Sequence, residues 1–244
     1  MLPRAIILAA GTSKRMGAVT STLPKCLLPL GQTTILGLQL QTLKRAGITD
    51  ITIVTGFCHE HIQQHCGPEY AYVLNKDFAT TNSIYSLWLA LQERRGSMLI
   101  LNADVVFHPG ILHALLASPY PDALTVSFQS GMGQEEMKVQ VHDGKITDIS
   151  KDIDPAGADG ENVGVVKFSA HGAEQLFAVT DTLVRSGVVR AWAPRAFQQL
   201  CRSHPVYAVA TEGLPWIEID FPEDLERARQ EIYPAICGDA RLFA

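Results

Sequence analysis

Short apolar runs alternate with stretches of helical spacing through the first half of the chain, and this alternation restricts the fold more than any other feature. Residues 5–10 are apolar and closed by Gly11, as suits a buried strand entering a loop. Residues 34–46 have helical spacing and stop at Gly47, a C-terminal cap. Residues 50–55 predict a second strand closed by Gly56, 59–66 a short helix, and 71–74 a weak third strand. A helix over 83–94 leads to a strand over 98–101 that ends in Asn102-Ala103-Asp104. Strands alternating with helices imply βαβ units and a largely parallel sheet.

The second half changes character. Short strands are expected at 124–128, 138–141, 145–149 and 163–168, with a hairpin turn at His142-Asp143-Gly144-Lys145. Helices follow at 173–186 and 191–202, then strands at 206–210 and 216–220 and a helix over 222–232 that opens with Pro222. No linker-like composition divides the chain. The expectation is one domain over 1–244, with 121–232 closing as a small β-rich lid over 1–120.

Composition enters here because it limits the ligands. A chain of 244 residues that is 47% apolar suits one large core. Lys and Arg total 20 against 25 Asp and Glu, a formal charge of −5. That balance offers no general attraction for nucleic acid or an anionic membrane, so neither is expected as a partner. A phosphate-bearing ligand must be held by a few local cations and backbone amides. The five cysteines form no C-x-x-C and no zinc-like spacing, and read as reduced, mostly packed thiols of a cytoplasmic protein. The N-terminal apolar run is too short for a membrane span and lacks a cleavage pattern.

Against that background, Leu8-Ala9-Ala10-Gly11-Thr12-Ser13-Lys14-Arg15-Met16-Gly17 followed by Pro24-Lys25-Cys26-Leu27-Leu28-Pro29 is the strongest chemical signal. A strand running into small residues lets backbone N–H groups approach a polyphosphate. Arg15 then offers multidentate contact to phosphate oxygens and Lys25 a compact point charge. A surface loop with two solvated cations is the plain alternative, which the order of Arg15 and Pro24-Lys25 disfavours. The segment is neither G-x-G-x-x-G nor a P-loop.

Asp104 ends an apolar strand, where ligands of open α/β sheets bind, and a carboxylate there can hold Mg²⁺. Capping the helix from Pro109 is the alternative for Asp104. In Trp216-Ile217-Glu218-Ile219-Asp220-Phe221-Pro222, alternation places Glu218 and Asp220 on one face. Asp220 suits a second metal ligand, or a cap for the following helix.

These segments resemble the nucleotidyltransferase superfamily, whose pattern is L-A-A-G-x-G-x-R-M/L followed by P-K-x-L-L-P. Ser13 departs from the usual glycine. The Asn-x-x-x-Ser-Leu arrangement of Asn82, Ser86 and Leu87 within Asn75-Lys76-Asp77-Phe78-Ala79-Thr80-Thr81-Asn82-Ser83-Ile84-Tyr85-Ser86-Leu87 is similar to the phosphocholine, phosphonate and inositol-phosphate cytidylyltransferase branch, and Asn82 also suits an N-cap of the helix over 83–94. The resemblance implies a Rossmann-like three-layer α/β/α fold of the nucleotide-diphospho-sugar transferase type, with a mixed, mostly parallel central sheet and an acceptor-binding lid. It implies a Mg²⁺-dependent cytidylyltransferase joining CTP to a small phosphorylated or phosphonate acceptor with release of pyrophosphate. Arg15, Lys25, Asp104 and Asp220 would be catalytic, with Asp104 and Asp220 on the metal. Leu8, Ala9, Ala10, Gly11, Thr12, Ser13, Lys14, Arg15, Lys25, Asn82, Ser83, Asn102 and Asp104 would bind the nucleotide. Lys138, Lys151, Glu161, Trp192, Trp216 and Glu218 would face the acceptor, the tryptophans by cation–π attraction or by simple packing. A homodimer is compatible with such a chain. A sugar-1-phosphate nucleotidyltransferase using UTP or GTP is the nearest rival, ahead of a silent nucleotide-binding module. The tail 237–244 fits no role.

Overall fold

The computed structural model describes residues 2–12, 15–17, 22–93, 96–128 and 132–239. The N-terminal strand β1 (Arg4–Ala9) is buried along its whole length, so both faces must be covered. Its odd residues, Ala5, Ile7 and Ala9, join one apolar core, and Ile6 and Leu8 join another. The period-2 geometry of a strand thus generates the two cores and places helices on either side of the sheet.

Between β1 and helix α1 (Ile35–Arg45) lie 3₁₀ turns at 15–17 and Lys25–Leu27 and a hairpin of β2 (Pro29–Leu30) and β3 (Thr33–Thr34). The Thr34 hydroxyl accepts a hydrogen bond from the Gly37 N–H and caps this helix. Strand β4 (Ile51–Thr55), helix α2 (His59–Cys66), strand β5 (Ala71–Leu74), helix α3 (Ser83–Glu93) and strand β6 (Met98–Asn102) complete the first half. Strands β5, β4, β1 and β6 pair in parallel in that order.

After β7 (Val105–Phe107) and helix α4 (Pro109–Ala117), strands β8 (Ala123–Ser127), β9 (Lys138–His142), β10 (Lys145–Ser150) and β11 (Gly160–Phe168) follow. Helices α5 (Ala170–Arg185) and α6 (Pro194–Cys201) precede β12 (Tyr207–Ala210), β13 (Trp216–Glu218), α7 (Pro222–Arg227) and α8 (Tyr233–Gly238), the last two joined by a π-helical segment, Ala228–Ile232. The predicted turn between β9 and β10 forms with positive φ at both Asp143 and Gly144, the requirement of a tight hairpin.

Strands of both halves enter one nine-stranded mixed sheet, β5-β4-β1-β6-β11-β8-β12-β10-β9. The α/β fold with a mixed sheet is therefore the one expected. Its first-half strands are parallel, and β11 runs antiparallel to β6, β8 and β9. Helices α1, α2 and α4 cover one face; α3, α5 and α6 cover the other. A third, smaller core gathers Met16, Leu28, Leu30, Ile35, Val106, Ile217, Ile219 and Leu225 under the β7–β13 pair. Among the described residues no helix is long and apolar enough to cross a membrane. The five cysteines are free thiols.

Candidate active site

A cleft of about 420 Å³ opens at the carboxyl ends of β1 and β6. Its wall includes Leu8, Ala9, Ala10, Gly11, Thr12, Arg15, Lys25, Asn82, Ser83, Asn102, Asp104, Lys151, Trp192, Glu218 and Asp220. Most residues expected at the site from sequence thus share one cavity. Ser13 and Lys14 lie outside the described residues.

The third core explains how two distant segments converge. Met16 is 1% exposed and anchors the turn carrying Arg15, while buried Ile217 and Ile219 leave Glu218 and Asp220 for the cleft. Pairing of β13 with β7 sets Glu218 opposite Val105, and the Ile219 N–H donates to the Asp104 carbonyl at 3.0 Å. Lys25 Nζ then lies 2.8 Å from Asp104 Oδ2 and 3.0 Å from Asp220 Oδ1. Arg15 reaches the other Asp220 oxygen at 3.1 Å. Asp220 is not the cap of α7: Phe221 occupies that position, and Asp224 Oδ2 accepts from the Asp220 and Phe221 N–H groups at 2.9 and 2.7 Å.

The electrostatics follow from crowding. Burial disfavours the Lys25 ammonium, but the adjoining Asp104 and Asp220 outweigh that and hold its pKa above the ordinary value. Burial works to raise the Asp220 pKa, and Lys25, Arg15 and Lys151 together hold it below the usual carboxylate value. Glu218 is opposed only by Lys25, which does not offset the rest. Burial, and then the negative field of Asp104 and Asp220, push it from 4.5 to about 8. Carboxylate oxygens of Asp104, Glu218 and Asp220 lie within 4.8 Å of one another. Three hard oxygen donors, one of which is pushed toward its protonated form by burial and by the other two, could hold a divalent cation. Asp104 and Asp220 were expected to form such a pair; Glu218, expected on the acceptor side, lies in the same group.

Two side chains that sequence reasoning passed over hold the frame. Gln39, 1% exposed on α1, donates from Nε2 to the Asn102 and Val105 carbonyls, both at 2.8 Å. It clamps the turn that carries Asp104. Asn75, also 1% exposed, donates to Thr81 Oγ1 at 3.1 Å and Ser86 Oγ at 3.0 Å, and accepts from the Asp77 N–H at 2.9 Å. It ties the 75–81 loop to α3. A helical glutamine and a loop asparagine carry no pattern that would mark them. The Asn82 oxygen accepts locally from the Ser83 N–H at 2.7 Å.

Three residues expected at the acceptor end, Lys138, Glu161 and Trp216, are not among those that line the cleft. Lys138 is fully buried, and its ammonium donates to the carbonyls of Gly133, Gln134 and Glu136 at 3.2, 3.2 and 3.3 Å. These three carbonyls take up the hydrogen bonds of the ammonium. Trp216 packs from β13 against the core beneath α4 and is not part of the cleft wall. Lys151 does reach the cleft, with Nζ 5.0 Å from the Trp192 ring centroid. Glu161, at the start of β11, is raised to about 7 by burial and by Glu136, against the pull of Lys138 and Lys151.

Known proteins share this arrangement of chain. A MobA-like NTP transferase domain model matches residues 5–211. The chain is 29% identical over 244 residues to the CMP-5'-(3-aminopropyl)phosphonate synthase of Streptomyces rubellomurinus, covering 92% of this chain but 38% of that longer protein. It is 28% identical over 231 residues to the choline-phosphate cytidylyltransferase of Streptococcus pneumoniae, covering 93% of this chain and 97% of the relative. The solved structure of CTP:phosphocholine cytidylyltransferase from Streptococcus pneumoniae superposes with a TM-score of 0.79 at 25% identity, over 94% of this chain and 98% of that one. With a family match that runs from β1 through β12, this chain belongs to the MobA-like NTP transferase domain family.

Proposed function

We propose that this chain is a Mg²⁺-dependent cytidylyltransferase. It moves CMP from CTP onto a small phosphorylated or phosphonate acceptor and releases pyrophosphate. The observation that carries the reading is the convergence of Lys25 and Arg15 on Asp104, Glu218 and Asp220 at one end of the cleft. The named activities of the phosphonate and choline-phosphate relatives support CTP as the donor.

In this reading the loop that follows β1, residues 10–12, cradles the triphosphate through backbone N–H groups. Lys25 stabilises charge on the α-phosphate and Arg15 neutralises departing pyrophosphate. Asp104 and Asp220, with Glu218 beside them, hold Mg²⁺, which supplies further charge stabilisation to the phosphoryl oxygens. Asn82 and Ser83 line the nucleotide side, and Lys151 binds the acceptor phosphate. The acceptor oxyanion is itself the nucleophile, so alignment and charge stabilisation suffice without a covalent enzyme intermediate.

A matrix of CTP, UTP and GTP against phosphocholine, 2-aminoethylphosphonate, inositol 1-phosphate and glucose 1-phosphate, scored by pyrophosphate release, tests the proposal. Turnover with CTP and a phosphonate or phosphocholine is expected. Release only with UTP or GTP and glucose 1-phosphate would overturn it.

A further inference from the structure

The cations assigned to phosphate do not stand open. Arg15 NH1 lies 3.2 Å from Glu135 Oε2, and Lys151 Nζ lies 3.7 Å from the same oxygen. One carboxylate oxygen therefore spans the nucleotide-side cation and the acceptor-side cation. Each cation also has an aromatic seat. The Arg15 guanidinium is 5.7 Å from the Phe221 ring centroid, and Lys151 Nζ is 5.0 Å from that of Trp192. These partners account for two of the most exposed large apolar side chains, Trp192 at 46% and Phe221 at 41%. The seats are built in: Phe221 is the N-cap of α7, and the Ala193 N–H beside Trp192 donates to Ser83 Oγ at 2.8 Å.

The carboxylate that joins the two cations comes from the loop before β9. The buried Lys138 ammonium gathers the carbonyls of Gly133, Gln134 and Glu136, so the backbone on both sides of Glu135 is pinned. A lysine expected to meet the acceptor instead shapes the loop that presents Glu135. The Glu135 side chain stays 64% exposed while it bridges Arg15 and Lys151. For a guanidinium and an ammonium, a carboxylate is the side chain closest in chemistry to a phosphate oxygen.

We propose that Glu135 is a built-in phosphate surrogate, which closes Arg15 and Lys151 onto one another and which an incoming phosphate must displace. The proposal rests on the reading of these two cations as phosphate ligands. With substrate absent, the bridge keeps the cations from repelling each other across the cleft. With pyrophosphate formed, the displaced carboxylate competes for its cations and favours release of the product.

The test is calorimetric titration of the full chain with inorganic pyrophosphate. Glu135→Gln is expected to bind it roughly two- to tenfold more tightly than the unaltered chain, the scale that two exposed ion pairs provide. Glu135→Ala should show the same gain. The gain should shrink when Glu135→Gln is combined with Arg15→Gln, which an unrelated structural effect would not produce. Pyrophosphate binding that is equal, weaker or undetectable in Glu135→Gln overturns the proposal, as does an undiminished gain in the double variant. CTP turnover, assayed separately, reports on the cytidylyl reading and leaves the affinity comparison standing.

Discussion

Lys25 shows how much one side chain decides here. It bridges two carboxylates from segments that meet only in the folded chain, at 2.8 and 3.0 Å. Lys25→Ala removes both the counter-charge of the cluster and the cation assigned to the α-phosphate. A fall in kcat of about 10²–10³ or more is expected, the range seen when a charge-stabilising group is lost. Far-UV circular dichroism should show the fold intact, and wild-type pyrophosphate release by the variant would remove Lys25 from the assigned role. The comparison with Lys138 marks the limit of sequence. Both are lysines near small or turn-forming residues, yet one ammonium meets carboxylates and the other three backbone carbonyls. Burial and partner choice are set by tertiary contacts, which residue type does not encode. Glu135 sits in a Gly-Gln-Glu-Glu stretch with no motif, so its bridge to Arg15 was illegible for the same reason.

At the scale of elements, locally punctuated segments were legible and distant pairings were not. The expected boundaries of α2 and β5 coincide with those observed, because Gly67 stops the helix and turn residues flank the strand. The strand expected at 216–220 forms as β13, whereas its partner across the chain, β7, is three residues long and carries too little periodicity to be seen alone. Two glycines just past the carboxyl ends of β1 and β4 predict opposite phenotypes. A Cβ on Gly56 would lie 2.6 Å from the Ala10 carbonyl oxygen and 2.7 Å from Phe78 Cβ, whereas one on Gly11 meets nothing within 4 Å. Gly56→Ala must move backbone, so a loss of about 1–3 kcal/mol is expected, read as a drop of roughly 2–12 °C in Tm. Gly11→Ala should melt like wild type while raising the KM for CTP, because its methyl enters the space left for the triphosphate. Equal melting temperatures for the two variants would refute the packing argument.

Over the whole molecule, the net charge of −5 understates the local problem, since three carboxylates share one end of the cleft with a lysine and an arginine. The fold retains a proton on Glu218, whose pKa rises from 4.5 to about 8, and on Glu161, which rises to about 7. An unfolded chain releases both protons near their ordinary values. Through this window the folded chain holds more protons than the unfolded one, so stability must fall as pH rises. Asp220 acts outside the window: held below 3.8, its contribution is complete above that value and is lost only in stronger acid. In chelator, Tm should therefore decline between pH 4.5 and about 8 and level off above. A divalent cation that binds only the folded cluster adds stability by mass action and favours the charged form of Glu218, so Mg²⁺ should raise Tm most at the alkaline end. Glu218→Gln should flatten the decline in chelator, because no proton is then retained at that position. Melting curves in chelator and in Mg²⁺, across this pH range, check each part. A Tm that climbs steadily through the window in chelator would show that these carboxylates do not bear the strain their crowding implies.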